Sequence, residues 1–242
     1  FVRNTCINTN INVMTDKKIV LKIGGAVLFD DDLNINFHLL EKVKQWYWHM
    51  IPSLEKLAIV VGGGRLSREI QAKMNGEISN QDALHNVAMQ VTQANAALVQ
   101  GYLNDPSSYL PKKLGDAYEF LQDGRNKTLI SGGLKIGWST DMDAAVFANI
   151  LGISLVFKLS NIDYVYDHDP NTNPRAKAIK DLTWDEYYKI FGITDGDGHV
   201  ANASVPVDVA CAQFCSRKNI SFFICGGKNL EIKNSMDEIF SE

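Results

Sequence analysis

The stretch GGLKIGWSTDMDAAVFANILGISLVFKLSNIDYVYDHDP, residues Gly132–Pro170, decides the architecture. It reads as a glycine loop, a Ser/Thr/Asp helix start, and an apolar strand that runs into an acidic turn. Loop, helix and strand in that order make half of an α/β crossover unit, and both junctions carry polar groups able to face a phosphorylated ligand. Thr140 is placed to cap the helix while Asp143, three residues on, returns the bond in a capping box, and Ala144 to Leu151 supply helix-forming apolar residues. One helix needs only one cap. The remaining hydroxyl of Ser139 and carboxylate of Asp141 are therefore either solvated or aimed at a ligand. Ser154 to Leu159 is too short for a second helix and apolar enough for a buried strand. The polar run Ser160, Asn161, Asp163, Asp167, Asp169 starts where that strand stops, which is where open α/β sheets bind ligands.

Working outward, the same punctuation recurs. Lys18 to Ile23 is a β-branched strand that enters Gly24 and Gly25, and Leu57 to Val61 is another that enters Gly62, Gly63 and Gly64, with Arg65 and Arg68 at the head of a helix. Thr128 to Ser131 leads into Gly132 and Gly133. Glycine after a strand allows a tight turn and leaves amide hydrogens uncovered, so one such junction is a turn, whereas three suggest a shared anion site. Lys22 lies in an otherwise apolar strand two residues before its turn, which would bring an ammonium near a bound phosphate. No G-x-x-x-x-G-K-S/T and no strand followed by G-x-G-x-x-G occurs.

The remaining segments fill in an alternating α/β chain. Phe37 to Met50 is helical, with Trp46, Tyr47 and Trp48 read as packing and interface residues, and Pro52 ends it. A long helix over Asn80 to Leu103 carries His85 near its start, by default a partly buried or surface histidine. Gly115 to Leu121, Thr183 to Ile190 with a Thr183/Glu186 capping box, and Pro206 to Lys218 are further helices; Ser221 to Cys225 is a strand and a closing helix runs toward Phe240. Gly192 to Gly198 reads as a mobile acidic turn. The count implies a parallel-dominated sheet covered on both faces.

Composition bounds the partners. The chain has 242 residues and a formal net charge of −4 with acids and bases interspersed, so no broad basic face offers itself to nucleic acid or to anionic lipid. No apolar run approaches the roughly 20 residues of a membrane helix. Cys6, Cys211, Cys215 and Cys225 lack C-x-x-C or zinc spacing, and Cys211 and Cys215 read as small buried residues in a reducing cytoplasm. Residues 1–16 lack an apolar signal core and are expected to be a flexible extension preceding the fold.

These pieces resemble the amino acid kinase superfamily, and within it the archaeal-type uridylate kinases. The matching stretches are KIGGAVL at Lys22 to Leu28, VVGGGRLSREI at Val60 to Ile70, TQANAAL at Thr92 to Leu98, GGLKIGWSTDMDAA at Gly132 to Ala145 and SNIDYVYDHDPNTNPRAK at Ser160 to Lys177. The resemblance implies a three-layer α/β/α sandwich with a mainly parallel central sheet, a single domain over 17–242 with an acceptor-binding lobe to about 155 and an ATP-binding lobe from about 156, and transfer of the ATP γ-phosphate to UMP. It implies ATP phosphates on Gly25, Ala26 and Gly64 with Arg68 alongside, and the adenosine end against Ser160, Asn161, Asp163, Tyr166 and Asp169. The acceptor would meet Gly63, His85 and the loop Leu134, Lys135, Ile136, Gly137, Trp138, Ser139 and Thr140. Lys22 and Asp141 would be catalytic, Mg²⁺ would arrive on ATP, and the chain would form a homo-oligomer, dimer or hexamer.

Departures from the family pattern gather on the acceptor side. His85 stands where an aspartate usually holds the nucleoside, Gln93 replaces an arginine, Lys135 and Trp138 stand where histidines are frequent, and Tyr164 replaces a glycine. They leave open another small phosphate monoester or carboxylate as acceptor, and a molybdenum or tungsten storage protein of the same fold.

Overall fold

Five strands with period-2 apolar patterning on both faces form the centre of a computed structural model that describes residues 5–7, 17–30, 32–162, 164–168, 173–194 and 205–226. These are β2 (Lys18–Ile23), β3 (Lys56–Val61), β4 (Thr128–Ser131), β5 (Leu155–Ser160) and β9 (Ser221–Gly226). They run parallel in the order β4-β3-β2-β5-β9. Val20, Ala58, Val60, Leu129, Val156 and Phe222 bury one face, and Ile19, Leu21, Ile59, Ile130, Phe157 and Leu159 the other. A strand buried on both sides needs a helix layer on each, so the result is the expected three-layer α/β/α sandwich.

Helices α5 (Leu114–Gln122), α6 (Thr140–Leu151), α7 (Trp184–Phe191) and α8 (Val209–Lys218) cover the first face. The other is covered by α1 (Gly25–Leu28), α2 (Phe37–Met50) and α4 (Gln81–Leu103), while α3 (Gly64–Met74) lies along α4. Helix α2 shows how sequence produces this: Leu39, Leu40, Val43, Trp46 and Tyr47 recur at helical spacing and are buried, and Asn36 caps the start by accepting from the Leu39 amide at 3.1 Å. The Thr183/Glu186 capping box forms as the sequence indicates. Cys211, Cys215 and Cys225 are buried free thiols.

Two sequence expectations need correction. Residues 1–16 were set apart from the fold, yet Thr5–Ile7 form β1, antiparallel to β9 and parallel to β8 (Asp181–Leu182), because three extended residues here find backbone partners on both sides. At the start of α6 the cap is Ser139, which accepts from the Met142 amide at 3.1 Å, one residue before the expected Thr140. Asp143 does not return a capping bond; it is fully buried. The acidic turn beyond residue 194, the closing helix toward Phe240, and Asp163 and Asp169 lie outside the described residues. Two-residue strands β6 (Val165–Tyr166) and β7 (Ala178–Ile179) pair beside the main sheet.

Candidate active site

All five parallel strands end at one edge, and the glycine bends follow β2, β3 and β4 there. Gly25 and Gly64 touch backbone to backbone: a Cβ on Gly25 would lie 2.1 Å from the Gly64 nitrogen, and one on Gly64, whose φ is +64°, would lie 2.4 Å from the Gly25 carbonyl. The third bend seats on α4, where the Thr92 hydroxyl accepts from the Gly133 amide at 2.7 Å and the Gln93 amide donates to the Gly133 carbonyl at 2.9 Å. Asn95, from the same helix, donates to the Gly62 carbonyl at 2.8 Å. One helix thus holds two of the three bends.

Between the bends the charge is concentrated in three residues. Lys22 on β2 pairs in register with Lys158 on β5, so both side chains leave the same face of the sheet. The first turn of α6 sets Asp141 over them: its Oδ1 is 3.0 Å from the Lys22 Nζ and its Oδ2 2.6 Å from the Lys158 Nζ. Lys158 also donates to the Pro206 carbonyl. Burial pushes the Lys22 ammonium down to about 8; the Asp141 charge opposes that shift and the Lys158 charge adds to it. Burial also pushes the Asp141 carboxyl up, but Lys158 and then Lys22 overcome it and hold it at about 2. At neutral pH the trio carries a net positive charge in a dry corner, an arrangement that attracts an anion.

Asp143, two residues on, behaves differently. Burial, with Asp208 adding to it, pushes its carboxyl up to about 8, so it is neutral at pH 7. Ser139 Oγ donates to Asp208, which itself caps α8 by accepting from the Cys211 amide at 3.0 Å. That partnership makes Ser139 the cap and leaves Thr140 facing the Gly62 bend, its hydroxyl 3.4 Å from where a Gly62 Cβ would stand.

The cleft above these groups has a volume of about 880 Å³, at the upper end of the range for small-molecule sites. Of the residues singled out from sequence, Lys22, Gly25, Ala26, Gly63, Gly64 and Arg68 line it from the β2 and β3 side. Ser160, Asn161 and Tyr166 line it beyond β5, and His85, Lys135, Gly137, Trp138, Ser139 and Thr140 on the α4 and α6 side. Asp141 reaches the cleft through the two lysines. Leu134 and Ile136 do not line it: Leu134 turns into the core, and Ile136 faces solvent on the outer side of the turn. Lys135 stacks its ammonium over the Trp138 ring, 4.4 Å from the centroid.

Sequence reasoning missed Lys158, although the signal that singled out Lys22, a lysine near the end of an apolar strand, applies to it equally. It also missed Phe191, Val205 and Pro206, which close the cleft from elements distant in sequence. Chemically, the site offers backbone amides, a positively charged trio and a neutral carboxyl nearby. It can hold phosphoryl groups in line and neutralise their oxygens.

Comparison with known proteins points the same way. The sequence pattern of the amino acid kinase family matches residues 17–226. The chain is 32% identical over 213 residues to a uridylate kinase of Thermococcus onnurineus, covering 88% of this chain and 91% of the relative, and 30% identical to one of Pyrobaculum neutrophilum with the same coverage. A uridylate kinase structure from Archaeoglobus fulgidus superposes with a TM-score of 0.71 at 21% identity, over 92% of this chain and 95% of that one. An aspartate kinase from Synechocystis superposes at 0.63 and 16% identity over 88% of this chain and 38% of its own, a likeness of fold.

Proposed function

The chain belongs to the amino acid kinase family, and on that premise we propose that it is an ATP-dependent uridylate kinase, which moves the γ-phosphoryl group of ATP onto UMP and releases ADP and UDP. The observation that carries the reading is Asp141 held between Lys22 and Lys158 beneath the interlocked glycine bends. Relatives named uridylate kinase, about 30% identical over most of the chain, support UMP as acceptor and favour neither another acceptor nor metal storage.

In this reaction a UMP phosphate oxygen forms a bond to the γ-phosphorus while the bond from that phosphorus to the β–γ bridging oxygen breaks, and the electron pair leaves on ADP. The acceptor oxygen is already ionised, so no general base is required. What the protein must supply is alignment and charge neutralisation. The amides of Gly25, Ala26 and Gly64, with Arg68, cradle the ATP phosphates. Lys22 and Lys158 meet the equatorial and bridging oxygens, and Asp141 fixes their ammonium groups without being consumed. Ser160, Asn161 and Tyr166 take the adenosine end, in an ATP-binding lobe from about 156. Gly63, His85, Lys135, Trp138, Ser139 and Thr140 face UMP from the lobe before it. Asp141 already holds two ammonium groups, so its donor set suits Mg²⁺ entering on ATP better than a resident ion. A homo-oligomer in the cytoplasm completes the reading.

The test is incubation of the purified chain with MgATP and a panel of UMP, CMP, AMP, aspartate and glutamate, with products identified by ³¹P NMR. UDP formation with UMP preferred is expected. No ADP release on UMP above background, or preference for another acceptor, overturns it.

A further inference from the structure

The first turn of α6 carries a second acid that the reaction above leaves unused. Asp143 is fully buried, and neither of its carboxyl oxygens has a partner of hydrogen-bond geometry among the described residues, although the Leu134 amide comes near. The carboxyl sits directly behind the third glycine bend: a Cβ on Gly133 would stand 3.7 Å from its Oδ2, and 3.4 Å from both the Thr92 hydroxyl and the Met89 side chain. Gly133, Thr92 and Met89 line the cleft, and Asp143 lies one layer back. A single glycine thus separates this acid from the space beside Gly63 and Lys135, where UMP is placed.

Its surroundings decide its charge. The two buried cations of the site, Lys22 of β2 and Lys158 of β5, are already engaged by Asp141. Helix α8 brings Asp208, a like charge, and the buried Cys211 thiol. Helix α4 brings the uncharged Met89, Thr92 and Gln93 to the bend, and β3 and α5 meet α6 with apolar Ala58, Val60 and Ala117. A helix start favours a carboxylate, but with no N–H group well aimed at these oxygens desolvation wins and the acid keeps its proton. Ionised, it would set a negative charge behind the bend that faces the acceptor's own phosphate, in a region of low dielectric. We propose that Asp143 is a positioning residue that acts through Gly133: with its proton it lets the UMP phosphate settle on the cleft side of the bend, and without it the two anions repel. Linkage makes the effect reciprocal, so UMP must tighten the hold of Asp143 on its proton by the factor by which that proton tightens UMP binding. The proton comes from solvent and stays on the carboxyl. The inference rests on the reading of the cleft as a UMP site.

Titration of the chain labelled with ¹³C at the aspartate carboxyls tests it, the Asp143 resonance being the one missing from Asp143→Asn. Its midpoint should lie near 8 in the free chain and about one pH unit higher with saturating UMP. From this group alone, the UMP dissociation constant read by calorimetry should then weaken about fivefold between pH 7 and pH 9. Asp143→Asn keeps the shape of the protonated acid and cannot ionise, so its weakening over that range should be smaller by about that factor, Lys22 titrating in both proteins. If circular dichroism shows that variant unfolded, Lys22→Met takes its place, and the fivefold weakening should persist in it. No binding of UMP at pH 7 overturns the acceptor reading and this inference with it. An Asp143 resonance unmoved by UMP, equal weakening in the unaltered chain and Asp143→Asn, or binding to Lys22→Met that does not change with pH overturns this inference alone.

Discussion

Two regions of the sheet bury lysine, and they use it in opposite ways. At the end where strands begin, Lys56 of β3 is buried and its ammonium meets the Phe120 carbonyl at 3.1 Å and the Asp123 and Asn126 carbonyls, over the Phe120 ring. Three donors find three acceptors at the C-terminal end of α5, where the helix dipole is negative. Burial still lowers the Lys56 pKa, with Asp123 opposing. At the end where strands stop, Lys22 contacts one carboxylate and keeps donors directed at the cleft. Burial and residue type are alike. What separates a structural cation from a working one is whether its hydrogen-bonding capacity is already filled.

The sharpest way to break this contrast is Asp141→Ala. It leaves two ammonium groups buried side by side, so stability should fall by about 3–5 kcal/mol in urea denaturation and UDP formation should vanish. Retained stability would mean that the trio is not coupled. Lys22→Met leaves Asp141 paired with Lys158, so the fold should persist while kcat drops roughly 10²–10³-fold, the scale for losing one donor to a developing charge. Lys56→Met should do the reverse, costing about 2 kcal/mol of stability through orphaned carbonyls with kcat within about twofold of the unaltered protein.

The smallest effect sharpens the comparison through pH. Lys22 titrates near 8 in the free protein, so kcat/KM should fall about tenfold between pH 7 and pH 9 as the ammonium is lost. Stability moves the other way in that range: a lysine whose folded pKa is depressed binds fewer protons folded than unfolded, so its contribution improves as pH rises from about 8 toward its unfolded value of about 10.5. Asp141, depressed to about 2, contributes stability above its unfolded value near 4, and that contribution is lost as pH falls toward 2. Activity and stability profiles that run in parallel above pH 8 would contradict the assignment of Lys22.

Much of the fold was legible because its rules are local. Strands ending in glycine declared β2, β3 and β4, and Thr183 with Glu186 declared α7. The misreadings arise where distant residues decide. Ser139 outcompetes Thr140 as a cap because its hydroxyl donates to Asp208, 69 residues away, and no local pattern encodes that. Lys158 looked like part of a buried strand until register set it beside Lys22. Leu134 and Ile136 share the turn of Lys135 but face away from the cleft, since alternate residues of a turn cannot all face one side. Two-residue strands such as β6 and β7 are too short to leave a periodic signal.

The contact of Gly25 with Gly64 sets a spacing that side chains cannot alter. In the proposed reaction Gly25 and Gly64 both cradle the ATP phosphates while Gly63, next to Gly64 in the same bend, faces UMP, so main chain fixes where the donor phosphates sit beside the acceptor. Evolution could exchange His85, Lys135 or Trp138 and so change what is bound, while the backbone that seats the phosphates stays the same.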